Sequence, residues 1–246
     1  MEENKYLQAA LQNLGQTPTE RRILPLLLMN YDEVEQLLTA IFSHRVRADG
    51  KDFKCDDFTK NNLKIASKWL YGGSKTFLVL YGTYGTGKTT LIESIRQFYR
   101  TYKEVKEREI RDSGGVSWLT PEKDKQLHQL EIHTPREIEY YMATDLTDII
   151  LAENDKKSPK FDGICKSRFL VVDEFGREPK TVKNYGNDTT PLATLINIRD
   201  KLGLPTILAT NMQMGEIQQM YTDYVFDRLL GAGAFIHYEQ KSYRHK

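Results

Sequence analysis

Two hydrophobic rhythms divide this chain. Phe77-Leu78-Val79-Leu80-Tyr81, Ile138–Met142, Phe169–Val172, Thr206–Thr210 and Ala234–Tyr238 are short apolar runs rich in β-branched and aromatic residues. They have the length and content of strands buried on both faces. Between them apolar residues return every three or four positions. Leu91, Ile92, Ile95, Phe98 and Tyr99 form one such stripe, and Ala143–Asn154, Thr190–Lys201, Gly215–Tyr221 and Tyr224–Leu230 follow the same period. Five strands alternating with helices predict an α/β fold, a parallel doubly wound sheet covered by helices on both faces.

Ahead of the first strand the pattern is helical. Tyr6, Leu7, Ala10, Leu11 and Leu14 make a stripe that Gly15 ends, and Thr17-Pro18-Thr19-Glu20 reads as a capping box opening a second helix that Pro25 stops. Val34, Leu37, Leu38, Ile41 and Phe42 define another helix, opened by Asn30 and Glu33, and the charged stretch His44–Asp57 reads as a linker. A further helix carries Leu63, Ala66 and Leu70. Residues 1–50 are therefore expected to be a small helical segment with its linker, and residues 51–246 the core. Residues 102–135 alternate charge clusters with Gly114-Gly115 and Pro121 and read as an insertion, helical around Glu122–Gln129, with Trp118 its largest apolar side chain.

The chemistry begins where the first strand ends. Residues 82–89 read Gly-Thr-Tyr-Gly-Thr-Gly-Lys-Thr, the phosphate-loop pattern G-x-x-x-x-G-K-[ST], with a strand before it and a helix after it. Gly82, Gly85 and Gly87 let backbone amides curl around an anion, and the following helix directs its positive end at the same place. Thr83, Tyr84 and Thr86 complete the loop, and Thr90 follows on the first helical turn. Lys88 is expected to reach the β- and γ-phosphates of ATP, and the Thr89 hydroxyl to ligate Mg²⁺.

The Phe169–Val172 run delivers Asp173 and Glu174 to its C-terminal end, where ligands sit in open α/β sheets. Asp173 is expected to hold the hydrated Mg²⁺ with Thr89, and Glu174 to polarise an attacking water as general base. Such a glutamate suits hydrolysis rather than transfer to a small-molecule acceptor. The third strand ends in Thr210-Asn211. Asn211 either bridges the γ-phosphate and the lytic water or caps the turn into the next helix. Arg228 stands among apolar neighbours in Phe226–Gly231; it serves phosphate charge or pairs with Asp223 or Asp227 on its own helix.

Composition narrows the classes. The 246 residues are 39% hydrophobic and 28% charged with a formal net charge of +1, so the chain can bury a sizeable core and has no global basic field. Cys55 and Cys165 lack ligand partners at zinc spacing, so no zinc is expected. No apolar run approaches the roughly 20 residues that span a bilayer. An acidic, polar N-terminus argues against a secretory signal, so a cytoplasmic protein without a membrane partner is expected.

In order and spacing these blocks resemble the AAA+ ATPases, more narrowly the DnaC-type helicase loaders and the IstB-type transposition helpers. The resemblance spans Phe58 to Arg244 and rests on Gly82–Thr89 as Walker A, Val171–Glu174 as Walker B and Thr210-Asn211 as sensor 1. Asp227-Arg228-Leu229 matches the arginine-finger box and Ser242-Tyr243-Arg244 the closing motif. It implies an ATPase that works as a homo-oligomer, with Arg228 reaching a neighbour's γ-phosphate and Arg244 a candidate second sensor on the nucleotide. It also implies a hexameric replicative DNA helicase and single-stranded DNA as partners, and no separate lid domain. Lys180, Lys183 and Tyr185 are the candidate DNA contacts, and the apolar run Ile23–Met29 either grips the helicase or packs on Leu37, Leu38 and Phe42. An IstB-like helper would instead bind DNA and a transposase. Tyr84 departs from the pattern, standing where many AAA+ loops have proline.

Overall fold

The computed structural model describes residues 29–113, 120–135, 137–152, 159–179, 181–184, 187–189 and 191–239. The two helices expected before residue 29, Trp118, Lys180, Tyr185 and Arg244 lie outside the described residues.

In chain order the elements are α1 (Tyr31–Ala48), α2 (Asp57–Gly72), β1 (Phe77–Gly82), α3 (Lys88–Asp112), α4 (Pro121–His133), β2 (Glu139–Met142), α5 (Ala143–Ala152) and α6 (Pro159–Cys165). After them come β3 (Leu170–Asp173), the hairpin strands β4 (Val182–Asn184) and β5 (Asn187–Thr189), α7 (Pro191–Leu202), β6 (Thr206–Ala209), α8 (Met214–Met220), α9 (Asp223–Ala232) and β7 (Gly233–Tyr238). Five strands form one sheet in the order β2-β3-β6-β1-β7, and every pairing in it is parallel. The expected α/β sheet of about five parallel strands is thus observed.

Parallel strands need long crossovers, and the helices that supply them bury both sheet faces. Strand β1 shows the alternation directly. Leu78 and Leu80 join Leu91, Ile95 and Phe98 of α3 and Leu63 and Leu70 of α2 on one side. Phe77 and Val79 join Leu195 of α7, Ile217 of α8 and Leu229 of α9 on the other. Helix α1 opens at Asn30 and Glu33 as expected, and the two form a capping box: Glu33 N–H donates to Asn30 Oδ1 at 3.0 Å and Asn30 N–H to Glu33 Oε2 at 2.8 Å. It packs on α2 and α3, with Val34 and Leu38 wholly buried.

The pattern and the structure differ in places. The stretch read as an insertion begins as the last turns of α3, because Tyr102 and Ile110 extend its buried face beyond Tyr99. The linker shortens because α1 runs on to Ala48. Strand β3 ends on Asp173 itself. Helix α6 and the β4–β5 hairpin carry too few residues to show a period, and neither was anticipated.

Arg199 on α7 is wholly buried and fastens three chain segments. Its Nε donates to Thr206 Oγ1 at 2.6 Å, Nη1 to the carbonyls of Cys165 (3.1 Å) and Ser167 (2.9 Å), and Nη2 to that of Pro205 (2.8 Å). The guanidinium thereby satisfies carbonyls at the end of α6 and in the turns entering β3 and β6. Burial lowers its pKa to about 10, with Cys165 and Glu139 pulling the other way. Replacing it strands those carbonyls in the core. Arg199→Leu is expected to lose about 3 kcal/mol, read as a lower urea midpoint at unchanged slope.

Candidate nucleotide site

Register brings three strand ends to one edge of the sheet. Leu80 pairs with Ala209, and Val172 with Leu208, so Asp173, Thr210 and the start of the phosphate loop emerge within two residues of a common level. The chain is locked there by main-chain bonds: Thr210 N–H to Leu80 O at 2.8 Å and Phe175 N–H to Ala209 O at 2.9 Å. Strand β7 closes the other side. Thr83 N–H donates to Tyr238 O at 2.8 Å, and a Cβ on Gly82 would stand 2.2 Å from that same oxygen. Only glycine permits this approach.

The loop then turns through Gly85 (φ 71°) and Gly87 (φ 104°), both left-handed, and Gly87 opens α3 without a side-chain cap. The 25-residue helix therefore presents uncapped first-turn amides, which with its dipole suit a phosphate. Lys88 is buried and folds over the loop, donating to the carbonyls of Gly82 (2.8 Å) and Thr83 (2.7 Å). Burial lowers its ammonium to about 8, while the nearby Asp173 carboxylate raises it. That electrostatic link joins the lysine of one motif to the acid of the other.

Asp173 is held at both oxygens, by the Tyr140 hydroxyl at 2.5 Å on Oδ2 and by Glu174 N–H at 2.8 Å on Oδ1. Burial, then Asp173, push the Tyr140 hydroxyl well above its ordinary pKa. Thr89 is exposed on the first turn of α3. A hydroxyl and a fixed carboxylate are oxygen donors that fit Mg²⁺, which keeps most of its waters. Glu174 follows in a left-handed conformation (φ 53°), the sole non-glycine residue so placed among the described residues. Its carboxylate accepts from Arg177 Nη1 at 2.7 Å, and Arg177 Nη2 donates to the Tyr84 hydroxyl at 2.9 Å.

Asn211 is half-buried just past β6, and Met212 beside it packs on Gly176 of the loop after β3. Arg228 lies on α9 and takes neither acid of its own helix. It donates to Asp200 Oδ2 on α7 at 2.8 Å and to the Tyr224 hydroxyl, over whose ring it also lies.

Three contributors have little local signal in the sequence. Tyr140 stands 33 residues before the acid it holds, and Tyr238 acts through its carbonyl. Arg177 stands three residues past Glu174, a charge spacing visible in the sequence, yet its link to Tyr84 needs the folded chain. Glu178, also unforeseen, is a buried carboxylate accepting from Gly176 N–H at 2.8 Å and from the Tyr221 hydroxyl. With Phe175 stacked on Tyr221 (4.6 Å between ring centres), it fastens the loop after β3 to the turn before α9.

Sheet order, phosphate loop and acidic strand end together define a P-loop α/β fold. No protein-family model matches the sequence, and neither does any curated protein. Among solved structures the chain is similar to DnaI, at 16% identity over 88% of this chain and 95% of that one, with a TM-score of 0.48. It is similar to the DnaC helicase loader at 15% identity over 76% and 94%, with a TM-score of 0.46. Domain III of the Thermotoga maritima replication initiation protein DnaA matches at 14% identity over 76% and 65%, with a TM-score of 0.48. With each of these TM-scores below 0.5, what the site does follows from its own residues. No helix among the described residues is long and apolar enough to cross a membrane.

Burial raises the Glu178 pKa, against the pull of Tyr221 and Gly176 N–H. The native chain thus holds this proton more tightly than the unfolded chain. Its contribution favours folding below the ordinary carboxylate value and fades as pH rises through the raised one. Between about pH 7 and about pH 5, the stability difference between the parent and Glu178→Gln is expected to move in the parent's favour, measured by urea unfolding at each pH.

Proposed function

We propose that this protein binds ATP with Mg²⁺ and hydrolyses it, and that the cycle drives a switch loading a hexameric replicative DNA helicase onto DNA during replication initiation. The observation that carries the hydrolytic reading is the convergence of Lys88, Asp173 and Glu174 beyond the ends of β1 and β3, the two strands that flank β6, beside a loop built to wrap phosphate.

Each residue then has a task. The amides of the loop 82–89 and the first turn of α3, including Thr90, cradle the phosphates, and Lys88 exchanges its two carbonyl partners for phosphate oxygens. Thr89 and Asp173 would hold Mg²⁺, which when bound neutralises charge on the β- and γ-oxygens. Glu174 orients and deprotonates the attacking water, and Asn211 reads the γ-phosphate. Arg228 serves a neighbouring copy, so activity belongs to the homo-oligomer; to do so it must exchange Asp200 for phosphate. Arg244 is a candidate second sensor. The order and spacing of these blocks support the loader reading, with single-stranded DNA met through Lys180, Lys183 and Tyr185. The segment 1–50 is the proposed helicase grip, 51–246 the ATPase core, and the working place the cytoplasm.

The test is phosphate release joined to affinity capture. Glu174→Gln is expected to keep ATP affinity within about twofold while losing about two or more orders of magnitude in turnover, and to trap the helicase on the full-length chain. Unchanged turnover would leave a nucleotide-binding scaffold, and capture of a transposase would turn the assignment to a transposition helper. Arg228→Ala is expected to leave affinity intact and lower assembly-stimulated turnover roughly 10³-fold. Equal loss of affinity and turnover would place Arg228 in its own chain's site.

A further inference from the structure

Arg177 occupies a position that the hydrolytic scheme does not use. One guanidinium spans from the tip of the phosphate loop to the proposed base, with Nη2 on the Tyr84 hydroxyl at 2.9 Å and Nη1 on Glu174 Oε2 at 2.7 Å. Its carbon lies 5.6 Å from the centre of the Tyr84 ring. Both anchors are set by the fold. Tyr84 sits in a loop pinned to β7 through Thr83 and Gly82, and Glu174 is bonded to Asp173 and held at a positive φ. The segment bearing Arg177 is fastened behind by the buried Glu178 and the stacked Phe175 and Tyr221. Arg177 N–H also closes a tight turn onto Glu174 O at 3.0 Å, which directs its side chain back over the carboxylate.

A carboxylate works as a base through a lone pair open to water. On Glu174 one oxygen is committed to a cation, and an ion-paired carboxylate is less free to swing onto a water. We propose that Arg177 is a positioning residue that restrains Glu174, latching it to the loop tip through Tyr84 and holding basal hydrolysis down. This rests on Glu174 being the base, as proposed above. Arg177 and Glu174 are 50% and 29% exposed, so water screens the pair and the restraint is mild. A mild latch suits a switch, because a competing anion or a partner surface at the mouth can draw the guanidinium away.

The experiment uses full-length protein with saturating MgATP and no partner, measuring phosphate release and, separately, ATPγS affinity. Arg177→Ala is expected to raise unstimulated kcat about two- to fivefold with affinity unchanged, the range an exposed pair allows. Tyr84→Phe, which removes one anchor, is expected to give a smaller rise in the same direction. The lysine variant Arg177→Lys, a single point charge without the fork, should fall between the parent and the alanine variant. The gain must vanish when Arg177→Ala is combined with Glu174→Gln. A fall or no change in kcat for Arg177→Ala at unaltered melting temperature overturns the latch, as does a gain that survives without Glu174. A silent parent whose Arg177→Ala variant hydrolyses supports the latch. If both are silent while ATPγS still binds, the hydrolytic reading falls and takes the latch with it.

Discussion

A phosphate can be gripped by main-chain amides only if the backbone comes closer than side chains allow, and strand β1 is arranged around that need. It lies between β6 and β7, buried on both faces, so its end cannot shift without moving the sheet. Gly82 then passes the Tyr238 carbonyl at a distance that excludes any Cβ, and the same carbonyl takes the Thr83 amide. Loop shape is therefore set by the edge strand as much as by the loop's own glycines. From this anchor follow the direction of α3, the fold of Lys88 over its loop, and its electrostatic link to Asp173.

Polar groups sealed inside the protein hold the layers in register around that site. Arg199 would be costly to bury alone, yet its guanidinium meets a hydroxyl and several carbonyls left open where α6 ends and where β3 and β6 begin. Glu178 does comparable work for the loop after β3, tying it to the turn that precedes α9. Arg228 sits on that helix, so the acidic strand end and the proposed finger are mechanically adjacent even though 54 residues separate Glu174 from Arg228. Asp200 and Tyr224 meanwhile keep the Arg228 charge satisfied on its own subunit.

Much of this was legible beforehand because the code for it is local. An unbroken apolar run has to be buried on both faces, a three-to-four period makes a helix with one wet side, and G-x-x-x-x-G-K-T between the two leaves little else for the backbone to do. The five strands, the α3 stripe, the Asn30–Glu33 cap and the convergence of Lys88 with Asp173 all follow from such rules. Elements without a period, such as α6 and the β4–β5 hairpin, were invisible for the same reason.

Partnership was not legible, since a side chain's neighbours depend on which strands lie side by side. For Arg228 the sequence left open phosphate charge or an acid of its own helix, whereas α7 and α9 pack together and offer Asp200. Tyr140 meets Asp173 because β2 lies next to β3, and Arg177 meets Tyr84 because the β3 and β1 ends share one sheet edge. Sequence alone determined which of the periodic or wholly apolar segments become helices and strands and which residues are chemically suited to phosphate, because periodicity and backbone freedom act within a few residues. Tertiary structure alone decided which charges satisfy one another, because pairing depends on through-space distances of about 3 Å between groups that the chain keeps tens of residues apart.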